Sequence, residues 1–305
     1  MRFRPLLVLC AIFLTQMLSS CSGTLAGGQS IDGELAMEHV RQLVSWGPHP
    51  PGSEAQTKVG DYLVSTLKGF NLQTHEHRFE TLTPMGRIEM RNIWAEVKGK
   101  TDSVIVLASH YDSKYFGEFE FVGANDGGSS TGVLLELART LNESNPTPFT
   151  LWFVFFDGEE AFRTWTSRDS LYGSREFVSR LRDQGKLNKI SALILLDLIG
   201  SKNLALRRDQ NSAQWLNELI WRRADEMGHS DVFSPRGWTA AVDDHTPFAE
   251  QGIPVVDLID LLYPHWHTSG DTLDKLSSRN MEIVANVVLA SLPEIASELK
   301  EKQDR

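Results

Sequence analysis

Apolar positions along this chain change period several times, and the changes mark out its elements. From Glu34 to Trp46, and again from Ser53 to Leu67, apolar residues recur every three to four positions, which predicts two amphipathic helices. The run Pro48-His49-Pro50-Pro51-Gly52 between them is turn chemistry. Leu72–Phe79 and Ile88–Val97 read as extended, the first polar enough to be an edge. After that, short and wholly apolar runs take over: Val104–Ala108, Leu151–Phe156, Ala192–Leu196 and Val255–Ile259. They alternate with helical stretches at Thr131–Leu141, Ser174–Leu181, Ser212–Met227 and Asn280–Leu299. Buried strands alternating with helices predict an α/β fold with a mainly parallel sheet and helices on both faces.

The amino terminus follows a different pattern. Arg2 and Arg4 precede an apolar run from Leu6 to Leu14, and Leu18-Ser19-Ser20-Cys21 follows. A basic start, a short apolar middle and small residues describe an export signal. That middle is shorter than the roughly 20 residues a membrane-spanning helix needs. Leu-Ser-Ser-Cys resembles a bacterial lipobox, in which Cys21 is acylated and becomes the first mature residue; cleavage near Ser20 with a free Cys21 is the alternative. The expected division is residues 1–20 as signal, 21–32 as lipidated cysteine and linker, and 33–305 as one catalytic domain. Export to a bacterial membrane follows, with anchoring by lipid alone. Ser22 suits the outer membrane, facing the periplasm, if the cell has two membranes.

The composition adds exclusions. At 41% hydrophobic and 23% charged residues, the 305-residue chain can bury a large core. Its net charge of −10 argues against nucleic acid as partner. The only cysteines are Cys10 and Cys21, so the folded part has no disulfide and no thiolate ligand or nucleophile. Any metal must be held by His, Asp and Glu. Nothing demands more than a monomer.

Such groups gather where the apolar runs end. His110-Tyr111-Asp112 follows the first run, Asp157-Gly158-Glu159-Glu160 the second, and Asp197 ends the third; Asp243-Asp244-His245 and His265-Trp266-His267 flank the fourth. Ligands of open α/β sheets bind beyond the carboxyl ends of the strands. Zinc takes His nitrogen and carboxylate oxygen, and a catalytic site keeps three protein ligands and an open position. Asp126, Glu160 and His267 are the candidate ligands, although spacing alone cannot choose between His265 and His267, and Asp126 could instead cap the next helix. Glu159 and Glu160 should point to opposite sides of extended backbone, one toward metal and one toward substrate as general base. Asp197 and Asp243 complete the acidic set, and Trp165, Tyr263 and Trp266 could wall an apolar cavity. His39, His75, His77, His229 and His49 are given no role.

The order His-x-Asp, Asp, Glu-Glu, Asp, His resembles the zinc aminopeptidase superfamily, with its phosphorylase/hydrolase-like α/β fold. Several stretches resemble animal-type glutaminyl cyclases more closely: His110–Phe116, Phe155–Phe162 continuing to Arg175, Leu195–Gly200, Asp243–Phe248 and Trp266–Thr268. The resemblance implies one zinc per chain on Asp126, Glu160 and His267. It makes Glu159 the general acid/base, Asp197 and Asp243 a hydrogen-bonded pair, and Trp165, Tyr263 and Trp266 the walls around a glutamine side chain, Tyr263 across a one-residue gap. The implied substrates are peptides or proteins with N-terminal glutamine, closed to pyroglutamate with release of ammonia. A two-zinc aminopeptidase of the same fold, adding His110 and Asp197 as ligands, is the alternative, and the loop Asn125-Asp126-Gly127-Gly128 resembles that group more. The insertion bearing Trp165 and the acid at position 243 favour the cyclase. A non-catalytic peptide-binding lipoprotein would require that zinc not bind.

Overall fold

The computed structural model describes residues 30–144 and 147–303, so the expected signal, Cys21 and most of the expected linker lie outside the described residues. Ile31 and Asp32 already belong to the fold. Ile31 is buried and its amide donates to Asn286 Oδ1, while Asp32 caps the first helix through the amides of Glu34 and Leu35. No helix among the described residues is long and apolar enough to cross a membrane.

The described residues form eight strands and seven α-helices. Helices α1 (Gly33–Val44) and α2 (Glu54–Gly69) lead into a long hairpin of β1 (Gln73–Thr83) and β2 (Gly86–Val97). Then come β3 (Val104–His110), α3 (Gly128–Asn142), β4 (Thr150–Phe156), α4 (Tyr172–Asp183), β5 (Ile190–Asp197) and β6 (Leu206–Asp209). The chain finishes with α5 (Gln214–Glu226), β7 (Phe233–Thr239), α6 (Thr246–Ala249), β8 (Val255–Ile259) and α7 (Ser278–Gln303).

The main sheet has the order β1-β2-β4-β3-β5-β8. β4, β3, β5 and β8 run parallel, whereas β2 pairs antiparallel with both β4 and β1, so the sheet is mixed. Successive side chains of a strand face opposite ways, and β3 shows the result. Ile105 and Leu107 enter one core with α1, α2, α3, α5 and α7, while Val104, Val106 and Ala108 enter a second core with α4 and α6. Each predicted long element is present with ends shifted by a few residues. β6 and β7 form a separate parallel pair, and the single turn α6 completes the set; all three escape the apolar pattern because their sequences, Leu-Arg-Arg-Asp among them, are polar and short.

Candidate active site

Burying both faces of the parallel strands forces their polar ends into one place. β3 stops at His110, β4 at Phe156 just before the acidic run, and β5 at Asp197; the loop after β8 carries His267. Here a cavity of about 440 Å³ opens, lined among others by Asp126, Glu159, Glu160, Asp197, Asp243, Trp165, Trp266 and His267.

Asp126, Glu160 and His267 offer ligand atoms that all lie within 4.8 Å of one another. His267 Nε2 is 2.9 Å from Glu160 Oε1 and 3.3 Å from Asp126 Oδ2. Its backbone sits in the left-handed region (φ 54°), a conformation a non-glycine residue holds only when its surroundings fix it. His265 instead packs its ring 5.6 Å from that of Tyr263. Asp126 does not cap α3: Gly127 occupies that position, and no side chain bonds the helix start. A Cβ at Gly127 would come 2.8 Å from His110 Cε1, so the loop can approach His110 only without a side chain there.

The other oxygen of Asp126 faces a second group. His110 Nε2 lies 3.2 Å from both Asp126 Oδ1 and Asp197 Oδ1, and these three also converge within 4.8 Å. Burial pushes the Asp126 carboxyl up, but the His110 and His267 rings beside it outweigh that and hold it well below the usual range. Burial opposes protonation of His267, yet Asp126 and Glu160 raise it to about 9.

Glu159 differs from Glu160. Burial, partly offset by His110 and reinforced by the negative charge of Glu160, raises its carboxyl well above the usual range. Its carboxylate accepts no hydrogen bond from the described residues. The two glutamates do not point to opposite faces as extended backbone would require. β4 has already ended, Gly158 turns the chain (φ 73°), and both glutamates line the same cavity. Asp112 holds this turn by accepting the amides of Glu159 (3.1 Å) and Glu160 (3.2 Å).

The donor set suits a zinc ion. One imidazole nitrogen and two carboxylates, with Asp126 Oδ2 buried and without a hydrogen-bond partner, match three ligands around an open position. A family model for peptidase family M28 matches residues 92–292, which contain every residue of the cavity. The chain belongs to peptidase family M28. Within this family it is 36% identical over 299 residues to a glutaminyl-peptide cyclotransferase of Bos taurus, covering 86% of this chain and 82% of the relative. Among solved structures, a glutaminyl cyclase from an Acidobacteriales bacterium superposes with a TM-score of 0.84 at 37% identity, over 90% of this chain and 98% of that one. A leucine aminopeptidase precursor from Bacteroides thetaiotaomicron also superposes, with a TM-score of 0.80 at 25% identity, over 87% and 98% of the two chains. The M28 fold, with its mixed sheet flanked by helices, is therefore the fold of this chain.

Two expectations about this M28 site need correction. Tyr263 does not line the cavity: it is buried, and its hydroxyl donates to Asp271 Oδ1 at 2.9 Å. Nor do Asp197 and Asp243 share a hydrogen bond, because Asp197 Oδ1 is taken by His110 and the Leu198 amide, and Asp243 Oδ2 has no partner. Burial and the charge of Asp197 nonetheless push the Asp243 carboxyl well up.

Sequence reasoning passed over Asp271 and Lys114. Asp271 accepts the amides of Asn125 (2.9 Å) and Asp126 (3.1 Å), fixing the loop that presents the candidate ligand. Lys114 Nζ is 2.9 Å from Glu160 Oε2, so each Glu160 oxygen has one partner. Nothing local distinguishes Asp271 from a solvated turn acid; its role depends on residues about 145 positions away. His49, read as unremarkable, is buried: its amide donates to Ser113 and its ring bonds the Gly47 carbonyl.

Proposed function

We propose that this chain is a glutaminyl-peptide cyclotransferase, which closes the N-terminal glutamine of a peptide or protein into pyroglutamate and releases ammonia. The observation that carries this reading is Glu159. It is a buried carboxylate of raised pKa with no bonded partner, and it faces the same cavity as the Asp126, Glu160 and His267 cluster. The named relatives support it, since both the bovine protein and the bacterial structure are glutaminyl cyclases.

One zinc ion per chain, held by Asp126, Glu160 and His267, would supply Lewis-acid polarisation of the γ-carbonyl. The rest is work for the chain's own groups. Trp165 and Trp266 wall the cavity and hold the glutamine side chain folded toward its own α-amine. That proximity makes the attack intramolecular. As the amine nitrogen bonds to the γ-carbon, the Glu159 carboxylate takes a proton from it. Glu159 then delivers that proton to the departing nitrogen, the C–N bond breaks, and ammonia leaves. A raised pKa suits a group that must both accept and return a proton. Asp243, buried beside this path, is placed to hold a proton in the same cavity.

The second reading, a two-metal aminopeptidase, is favoured by the convergence of His110, Asp126 and Asp197, which makes Asp126 a candidate bridge. Against it stand Asp243 in the cavity wall and the loop that brings Trp165 into its lining. Glu159→Gln decides between a proton carrier and a structural acid. The variant should retain its zinc and lose cyclisation of a Gln-initiated peptide by about 10²- to 10⁴-fold, read as ammonia release. Activity within a few-fold of the parent would remove Glu159 from the mechanism.

The anchor is a further part of the proposal. The Leu-Ser-Ser-Cys pattern supports acylation at Cys21 and retention at a bacterial membrane. Cys21→Ser should shift the protein from the membrane to the soluble fraction, and an unchanged distribution would rule the anchor out.

A further inference from the structure

The loop between β4 and α4 is tied together by one buried acid. Asp169 accepts the backbone amides of Phe162 (2.9 Å), Arg163 (2.9 Å) and Thr164 (3.0 Å), and the Tyr172 hydroxyl at 2.9 Å. Burial works against the ionised form of Asp169, but the donors from Thr164, Phe162 and Arg163 outweigh it and keep its carboxyl low. Three successive amides on one carboxylate fix the backbone, so the side chains of Arg163 and Trp165 leave it from fixed positions.

Arg163 lines the cavity, yet it is exposed and so sits at the mouth. Five carboxylates line the same cavity: Asp126, Glu159, Glu160, Asp197 and Asp243. Lys114, the other basic side chain there apart from the candidate ligand His267, is committed to Glu160 Oε2 and the Ala161 carbonyl. The Arg163 guanidinium makes no ion pair among the described residues, in a chain with 40 acids against 30 bases. Val242 and Leu261, which also line the cavity, are apolar and offer no compensating charge. The mouth therefore holds an unneutralised arginine on a rigid loop.

A peptide whose N-terminal glutamine reaches the acidic floor must leave through this mouth, and its second residue passes there first. Resting on the cyclase reading above, we propose that Arg163 is a specificity residue that selects substrates with an aspartate or glutamate immediately after the N-terminal glutamine. A planar guanidinium can take a carboxylate with two parallel hydrogen bonds. It also offsets the repulsion that the floor carboxylates exert on an acidic peptide. A lysine in the second position would meet like charge at the mouth.

The test compares kcat/KM of the full-length chain on three C-terminally amidated peptides, Gln-Glu-Ala, Gln-Ala-Ala and Gln-Lys-Ala. Ratios between peptides cancel any general effect of a substitution. The parent should favour Gln-Glu over Gln-Ala by about two- to fivefold, the range of an exposed ion pair. The preference should shrink in strong salt, survive in part in Arg163→Lys, vanish in Arg163→Ala and pass to Gln-Lys in Arg163→Glu. Equal ratios in parent and Arg163→Ala would overturn the proposal. A fourth peptide, Gln-Ala with a free carboxyl end, separates sources of charge: if only its turnover responds to Arg163, the arginine reads the chain end and the proposal fails. Absence of turnover on every peptide would instead bring down the cyclase reading, and the proposal with it.

Discussion

Two histidine–carboxylate clusters among the described residues are built differently. At the cavity, His267 in its wall and His110 buried beside it sit 2.9 to 3.3 Å from the carboxylates of Glu160, Asp126 and Asp197. Behind it, His245 lies between Asp257 and Asp209 at 3.5 and 3.8 Å, and neither ring nitrogen has a hydrogen-bond partner. Both Asp257 oxygens also lack one. The titrations diverge accordingly. Partners raise His267 to about 9, while burial lowers His245 to about 4. Burial, with the nearby charges of Asp243 and Asp209, pushes the Asp257 carboxyl well up. Burial alone therefore does not define the site. What distinguishes the cavity cluster is the close convergence of its ligand atoms, whereas in the inner cluster burial disfavours the charged forms of His245 and Asp257.

The same isosteric change should have opposite effects in the two clusters. Asp126→Asn removes a candidate ligand charge, and both zinc content and cyclisation should fall, activity by more than the roughly 100-fold typical of losing a group that only orients a ligand. Asp257→Asn replaces a carboxyl whose charged form burial disfavours, and it should leave zinc content unchanged. Thermal unfolding at pH 8 should then rise by about 2–4 °C for each kcal/mol gained. A fall in Asp257→Asn stability would show that its carboxylate is ionised and paired.

Proton linkage separates the clusters again, with smaller effects. Metal-free His267 carries a proton below about pH 9, and a metal must displace it. Apparent zinc affinity should therefore drop about tenfold per pH unit on going down from pH 9, and flat affinity between pH 9 and 7 would contradict the pairing of His267 with Asp126 and Glu160. His245 works in the other direction. Its folded pKa of about 4 lies below the ordinary 6.5, so between these values the unfolded chain binds the proton and the folded chain does not. That contribution to stability is whole above pH 6.5 and is lost as pH falls toward 4.

Much of this arrangement could be read from the chain. Wholly apolar runs such as Leu151–Phe156 must be buried on both faces, and acids at their ends then have nowhere to go but the rim of a parallel sheet. The parts that escaped depend on distance in sequence or on backbone turns. Asp271 reaches the Asp126 amide from 145 positions along the chain, and Gly158 redirects Glu159 and Glu160 into one cavity, which alternation along a strand cannot anticipate. Tyr263 was misplaced for the same reason: its aromatic ring suggested a cavity wall, but its hydroxyl found a buried acid. The pair β6 and β7 was invisible because its strands are too polar to carry a period.

On the proposed function, the Asp126, Glu160 and His267 cluster would hold one zinc in a cavity where Glu159 would move the proton of a cyclisation. The most direct measurement incubates the purified protein with a Gln-initiated peptide, follows products by mass spectrometry, and counts metal on the same sample. The account predicts an intact peptide that has lost ammonia, with about one zinc per chain. Release of a free amino acid, with closer to two metals bound, would contradict it and assign the cavity to a peptide hydrolase.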